Sequence, residues 1–248
     1  MPEWLQAGGW GLLAGSALLL GAVTGWYVRV PQWVNASIMA FGAGVLLSAA
    51  AFELIGKAHE RGGTLPTAIG AAGGAVAYTL ANVALARRGA RHRKRSGRQP
   101  TEKDRPGSGS AIAVGAVLDG VPESVVIGAS LLTGNTVSLV TVAAVFLSNV
   151  PEGLSSAAGM RRAGRSRRFV FLLWTGIALL GGVAALAGRV LLGGASPALL
   201  AAITALAAGA ILAMVTDTMV PEAFEDAHLL VGLITVAGFL AAYALSIA

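Results

Sequence analysis

The sequence contains no cysteine and little charge. The lack of cysteine excludes thiolate metal ligands and thiol redox chemistry. Charged residues make up 12% of the 248 positions and hydrophobic residues 55%. The long apolar runs have no polar face, which excludes a soluble helical bundle. Glycine is abundant, at 34 residues, as suits helices that approach one another closely inside a bilayer.

Eight apolar stretches are long enough to cross a membrane as helices. We therefore expect an all-α polytopic membrane protein with a single transmembrane domain over residues 1–248. The first stretch has a long apolar core and follows Glu3 instead of a basic start, which favours a span over a cleaved signal peptide. The predicted spans cover about 8–28, 34–56, 64–86, 109–132, 137–159, 169–191, 197–220 and 228–247.

Basic residues are concentrated in three connections that eight spans place on one side, and these hold 15 of the 18. The positive-inside rule puts them in the cytoplasm and both termini outside, as in a multi-pass protein of the plasma (inner) membrane. The longest connection, 87–108, is basic, and we expect it to be flexible and to lie on anionic lipid. A regulatory or partner-binding segment is the alternative. This clustering accounts for the net charge of +6 without a nucleic-acid partner.

Two segments of the chain resemble each other. Residues 43–58 and 208–223 align without a gap, and each carries an acid at a similar position, Glu53 in the first and Asp217 in the second. The segments lie in spans 2 and 7, which cross the membrane in opposite directions. This pattern predicts an inverted-topology repeat.

The tripeptide Val-Pro-Glu occurs three times, at 121–123, 150–152 and 220–222. The first two copies lie midway along spans 4 and 5. Proline removes a helical hydrogen bond there and frees the carbonyls of Leu118 and Leu147 for a cation or its water. Glutamate places a costly charge in hydrocarbon. Two such breaks in consecutive spans predict that a cation is coordinated in the middle of the membrane.

The polar residues of spans 4 and 5 fall at one depth. Counted from a tight turn expected at 133–136, they lie within a slab about 9 Å deep at about 1.5 Å per residue. Neighbouring carboxylates repel unless they are protonated or share a cation, and we expect no Lys, Arg or His at this depth to pair with them. Protonated structural acids are the alternative to a metal site. The predicted ligands are Asp119, Glu123, Asn149 and Glu152, with Ser148 as a weaker one.

These motifs resemble those of the ZIP (Zrt/Irt-like) family of divalent metal transporters. That family has a His-Asn-x-Pro-Glu-Gly-like motif in span 4 and a related polar-polar-x-Pro-Glu-Gly motif in span 5. Here residues 119–124 read Asp-Gly-Val-Pro-Glu-Ser and residues 148–153 read Ser-Asn-Val-Pro-Glu-Gly. The resemblance implies a 3+2+3 inverted-repeat bundle with Pro-kinked helices 4 and 5. It also implies that spans 1, 4, 5 and 6 move against spans 2, 3, 7 and 8.

The resemblance further implies the substrate. It favours zinc as a transported ion, with no prosthetic group, and is compatible with a homodimer. Asp119 stands where the family usually has histidine, so the expected site is all oxygen and leaves room for manganese, iron or cadmium. Glu53 and Asp217 are expected to line the path. The alternative for Glu53 is a salt bridge to Lys57. The alternative for Asp217 is a hydrogen bond with Thr218 or with a neighbouring span.

We therefore expect a transporter and not an enzyme. One alternative is a ZIP-like metal sensor or membrane scaffold that does not transport. The other is an intramembrane aspartyl hydrolase that uses Asp119 and Asp217. Neither aspartate has a Gly-x-Gly-Asp or Tyr-Asp sequence around it, which disfavours the hydrolase.

Overall fold

The computed structural model of the chain describes residues 2–91, 93–94, 99–101, 103–132 and 138–247. The turn expected at 133–136 lies outside these residues. The described residues fold into seven long apolar helices and one shorter apolar helix. They are α1 (Glu3–Tyr27), α2 (Gln32–Gly62), α3 (Thr64–Ala90), α4 (Ser108–Ser130), α5 (Leu139–Arg162), α6 (Arg167–Leu191), α7 (Pro197–Glu225) and α8 (Val231–Ser246).

The helices have the apolar character of membrane spans. Within the described residues, α1 to α7 are long and apolar enough to cross a bilayer, and α8 is a shorter apolar helix. Large apolar side chains on α3 and α8, such as Leu65, Leu80 and Leu233, are exposed on the outer surface. An apolar exterior of this kind suits contact with lipid. The prediction of an all-α membrane protein is confirmed at this level.

Local sequence sets several helix boundaries. Ser138 and Ser166 precede α5 and α6, and their side chains accept hydrogen bonds from backbone N–H groups of the first turn. Ser196 does the same for α7, where Pro197 occupies the first helical position. Pro122 and Pro151 lie inside α4 and α5, as expected from the Val-Pro-Glu motifs.

Helices α2 and α7 share a departure from α-helical geometry. Each contains a π-helical segment, Ala49–Gly56 in α2 and Val215–Met219 in α7. These segments fall at corresponding positions of the two aligned stretches 43–58 and 208–223. Isolated π-helical turns occur frequently at functional sites.

Close packing divides the helices into two groups. In the first helix group α1 packs against α5 and α6, and α4 packs against α6. In the second helix group α3 packs against α7, and α2 packs against α8 and α7. Glycine permits the closest of these contacts, because a Cβ on Gly74 of α3 would overlap the Leu206 carbonyl oxygen of α7. The chain thus forms two helical layers, α1/α4/α5/α6 and α2/α3/α7/α8, which meet where α2 contacts α5 and α4 contacts α7.

Candidate functional site: a buried carboxylate cluster

Three carboxylates lie inside the bundle on α4 and α5. Asp119, Glu123 and Glu152, which we call the carboxylate cluster, are 3%, 3% and 7% exposed. Asp119 and Glu123 are one turn apart on α4, and Glu152 follows Pro151 on α5. Buried carboxylates are costly unless another group balances their charge.

Two basic side chains from the connection between α3 and α4 reach this cluster. Arg93 and Lys94, which we call the basic pair, are 3% and 1% exposed. Arg93 donates from Nε to Asp119 Oδ2 at 3.0 Å and from Nη2 to Asp119 Oδ1 at 2.9 Å. The Lys94 ammonium lies 2.9 Å from Glu152 Oε2 and 3.3 Å from Asp119 Oδ2. The basic pair therefore forms ion pairs with both α4 and α5.

Helix α3 completes the surroundings of Arg93. The Tyr78 hydroxyl donates to Asp119 Oδ1 at 2.7 Å and accepts from Arg93 Nη2 at 2.8 Å. Arg93 Nη1 donates to Asn82 Oδ1 at 2.8 Å. Since α3 belongs to the second helix group and α4 to the first, Arg93 connects the two groups.

The backbone around the basic pair is shaped to admit these side chains. Gly89, at the end of α3, has φ of 101°, a left-handed conformation that favours glycine. Gly115 of α4 leaves room for the stem of Arg93, because a Cβ there would lie 2.5 Å from Arg93 Cδ. Gln99 donates from Nε2 to the Arg93 carbonyl at 2.8 Å and to the Ser156 carbonyl of α5 at 3.2 Å.

This arrangement corrects two expectations from the sequence. We expected no basic side chain at the depth of the carboxylates, and that was wrong, because the loop returns into the bundle. We also expected the 87–108 connection to lie on anionic lipid, and Arg93 and Lys94 depart from that because they are buried inside the bundle. The physical reason is charge balance. Three carboxylates in a low-dielectric interior strongly favour nearby cations, and the loop supplies them. The expected flexibility of the connection stays a prediction.

The ammonium of Lys94 is held in its charged form. Burial alone would lower its pKa, but the carboxylates of Asp119 and Glu152 outweigh burial and raise its pKa above the ordinary lysine value. Two positive charges then face three carboxylates. Among the described residues, none forms a hydrogen bond with the Glu123 carboxylate, so Glu123 is the member of the cluster that the basic pair does not bind directly.

The two polar neighbours on α5 bond to backbone. The Ser148 hydroxyl donates to the Val145 carbonyl at 2.9 Å within its own helix. Asn149 donates from Nδ2 to the Ala14 carbonyl of α1 at 3.0 Å. Both side chains are buried. Asn149 thereby ties α5 to α1 inside the first helix group.

The remaining predicted ligands lie elsewhere. Glu53 of α2 forms an ion pair with Lys57 at 2.5 Å and accepts a hydrogen bond from Ser138 at 2.9 Å, so the salt-bridge alternative is the one observed. It lines a separate small pocket together with Arg61. Asp217 is exposed on α7. The structure brings neither residue to the carboxylate cluster.

The cluster is not arranged as a metal-ligand set in this conformation. Within the described ranges, no three acidic or histidine side chains converge closely enough to hold a metal ion.

The sequence matches no protein-family model, and no curated protein is similar enough to count as a relative.

Sequence reasoning missed four residues of the site: Arg93, Lys94, Tyr78 and Asn82. Tyr78 and Asn82 are one turn apart on α3 and therefore share a face, which is a detectable pattern of polar residues in an apolar span. The basic pair was hidden among many exposed arginines of the same connection. The imbalance of charge on α4 and α5 was the indication that some basic residue must enter the bundle.

Proposed function

We propose that this protein takes up divalent metal cations across a membrane, with zinc as the principal substrate, by alternating access around the carboxylate cluster. The observation that carries the proposal is the burial of Asp119, Glu123 and Glu152 on two adjacent proline-containing helices. Acidic residues inside membrane spans are costly and mark ion pathways in many proteins.

The two basic side chains bound to the cluster support its role as a cation site. The chain places one guanidinium and one ammonium against it, with a combined charge of +2. A divalent metal ion carries the same charge on a single centre. A metal that replaced the basic pair would therefore leave the charge of the bundle interior unchanged.

The two helix groups support the alternating-access part of the proposal. The cluster belongs to the first helix group and faces Tyr78 of the second. A relative movement of the groups would open this boundary to one side of the membrane and then to the other. The corresponding π-helical segments of α2 and α7 support an inverted repeat that relates these two helices, which is the symmetry that such a movement uses.

The ligand chemistry sets the expected selectivity. Asp119, Glu123, Asn149 and Glu152 would supply only oxygen and amide ligands. Carboxylates bind zinc well, and they also accept manganese and iron. The basic connections orient the chain with both termini outside the cytoplasm. Inward movement of the cation is what the resemblance to the ZIP family implies.

One observation favours a second candidate, a membrane scaffold that does not transport. The ion pairs of Asp119 and Glu152 satisfy these carboxylates without any metal. In a scaffold the basic pair would be a permanent part of the core. The aspartyl hydrolase has no comparable support, since Asp119 is buried and ion-paired while Asp217 is exposed on another helix.

Uptake into proteoliposomes tests the proposal. Wild-type protein is compared with Glu123→Gln/Glu152→Gln for Zn²⁺, Mn²⁺, Fe²⁺ and Cd²⁺. We expect saturable uptake by the wild type that is strongest for zinc and lost in the double variant. Glu60→Gln is the matched control, because Glu60 is an exposed carboxylate at the end of α2, and it should transport normally. Absence of uptake for every cation by well-folded wild type would favour the scaffold.

A further inference from the structure

The basic pair occupies the place that a transported cation would need. Lys94 bridges Asp119 and Glu152, which are carboxylates of two different helices, and the Arg93 guanidinium takes both oxygens of Asp119. These are the acceptor atoms that a metal would use. A metal ion and the basic pair therefore cannot bind the same carboxylates at once.

The basic pair also fastens the two helix groups together. Arg93 contacts Asp119 in the first helix group and donates to Asn82 in the second, while Tyr78 bonds to both Arg93 and Asp119. Movement of one group against the other would separate these partners. The same side chains that fill the cluster thus resist the rearrangement that alternating access requires.

The segment that carries the basic pair is built as a separate, tethered element. It belongs to the connection between α3 and α4 and to neither helix. The left-handed Gly89 precedes it, and the hydrogen bonds of Gln99 to the Arg93 and Ser156 carbonyls hold it against α5. A connection can withdraw from the bundle without unfolding a helix, whereas a basic residue on a span could not.

We propose that the Arg93–Lys94 pair is a built-in competitive inhibitor that occupies the carboxylate cluster in place of the metal and locks the two helix groups until it withdraws. This inference rests on the proposed transport function and specifies how the same site is regulated. The sequence left open that the 87–108 connection is a regulatory segment. In this proposal it regulates by forming ion pairs with the carboxylate cluster.

Competition predicts a measurable change in metal affinity. If the basic pair fills the cluster in about nine of ten molecules, its removal lowers the apparent Kd about tenfold, because only the open fraction binds metal. The test compares Zn²⁺ binding by isothermal titration and Zn²⁺ uptake by proteoliposomes for wild type and Arg93→Gln/Lys94→Gln. The matched control is Arg88→Gln/Arg91→Gln, which removes the same charge from exposed positions of the same region.

A second variant provides an independent test if Arg93→Gln/Lys94→Gln folds poorly. Gly115→Ala changes no charge but places a Cβ against the Arg93 stem, so it disfavours the inserted conformation. Gly176→Ala is its control, since a Cβ there meets no atom within 4 Å. We expect tighter zinc binding and faster uptake in Gly115→Ala and in the double variant, and wild-type behaviour in both controls.

The outcomes separate the inhibitor from the transporter. If wild type transports zinc and both Arg93→Gln/Lys94→Gln and Gly115→Ala bind and transport it no better, the inhibitor proposal is overturned and the proposed function stands. If well-folded wild type and Gly115→Ala neither bind nor transport zinc, both proposals fall.

Discussion

At the scale of single residues, the bundle depends on the balance of five buried ionisable groups. Asp119 is central because it accepts hydrogen bonds from Arg93 and Tyr78 and lies 3.3 Å from the Lys94 ammonium. Removing one partner from a buried ion pair leaves the other charge uncompensated, which costs more than the pair contributes. Asp119 therefore has a structural role in this conformation as well as its proposed role as a ligand.

Substitution of Asp119 tests this balance. We expect Asp119→Asn to reduce the free energy of unfolding by about 3–5 kcal/mol, because the charges of Arg93 and Lys94 lose their shared partner. Thermal unfolding in detergent measures the effect. Asp104→Asn is the control, since Asp104 is exposed in the same region and its change should leave the unfolding temperature almost unaltered. Equal effects of the two substitutions would contradict the structure of the cluster.

The carboxylates could be predicted from the sequence, and their partners could not. Asp119, Glu123 and Glu152 stand out because charge is rare in apolar spans, and their spacing on either side of one turn puts them at a common depth. Arg93 and Lys94 have ordinary loop neighbours, and nothing in local hydropathy distinguishes them from Arg88 or Arg91. Their burial is decided by tertiary charge balance, which a span-by-span count cannot represent.

At the scale of helices, glycine determines which pairs pack most closely. Gly74 of α3 lies against the backbone of Leu206 in α7, and Gly209 of α7 lies against the backbone of Ala71 in α3. Small residues at such contacts let helix backbones approach and increase van der Waals packing in membranes, where the hydrophobic effect does not drive association. The α3–α7 contact is thus one of the closest helix pairs of the second helix group.

Alanine substitutions at two adjacent glycines of α3 distinguish an effect on helix packing from an effect on helix propensity. We expect Gly74→Ala to destabilise the protein by about 1–3 kcal/mol, because the new methyl group overlaps the Leu206 carbonyl and pushes α3 from α7. Gly73→Ala changes the same helix one position earlier, where a Cβ meets no atom within 4 Å, and should be neutral. The unfolding temperatures of the two variants measure this difference. A comparable fall in unfolding temperature for both variants would argue against the α3–α7 packing.

The positions of the helices followed directly from hydropathy, whereas their grouping did not. Each predicted span overlaps one of these helices, and the boundaries differ by several residues at α2 and α7, where the helix continues beyond the predicted apolar run to Gly62 and Glu225. Hydropathy carries no information about which spans touch. The two helix groups were expected only from the family resemblance, and in the structure they depend on which faces carry glycine.

At the scale of the whole molecule, the proposed cation site lies at the boundary between two packed layers. The carboxylate cluster lies on the first helix group, and the basic pair links it to α3 of the second. Under the proposed function, binding of a metal in place of the basic pair would remove this link between the groups. Metal binding and relative movement of the layers should therefore occur together.

Distances between spin labels test this coupling most directly, since the chain has no cysteine and accepts introduced cysteines without background. One pair joins exposed positions of different groups, Ala84 in α3 and Arg168 in α6. The reference pair, Arg29 and Arg168, joins the ends of α1 and α6 within the first group. Zinc should shift the distance distribution of the first pair and leave the second unchanged, and Glu123→Gln/Glu152→Gln should abolish the shift. An unchanged Ala84–Arg168 distance at saturating zinc would contradict the account.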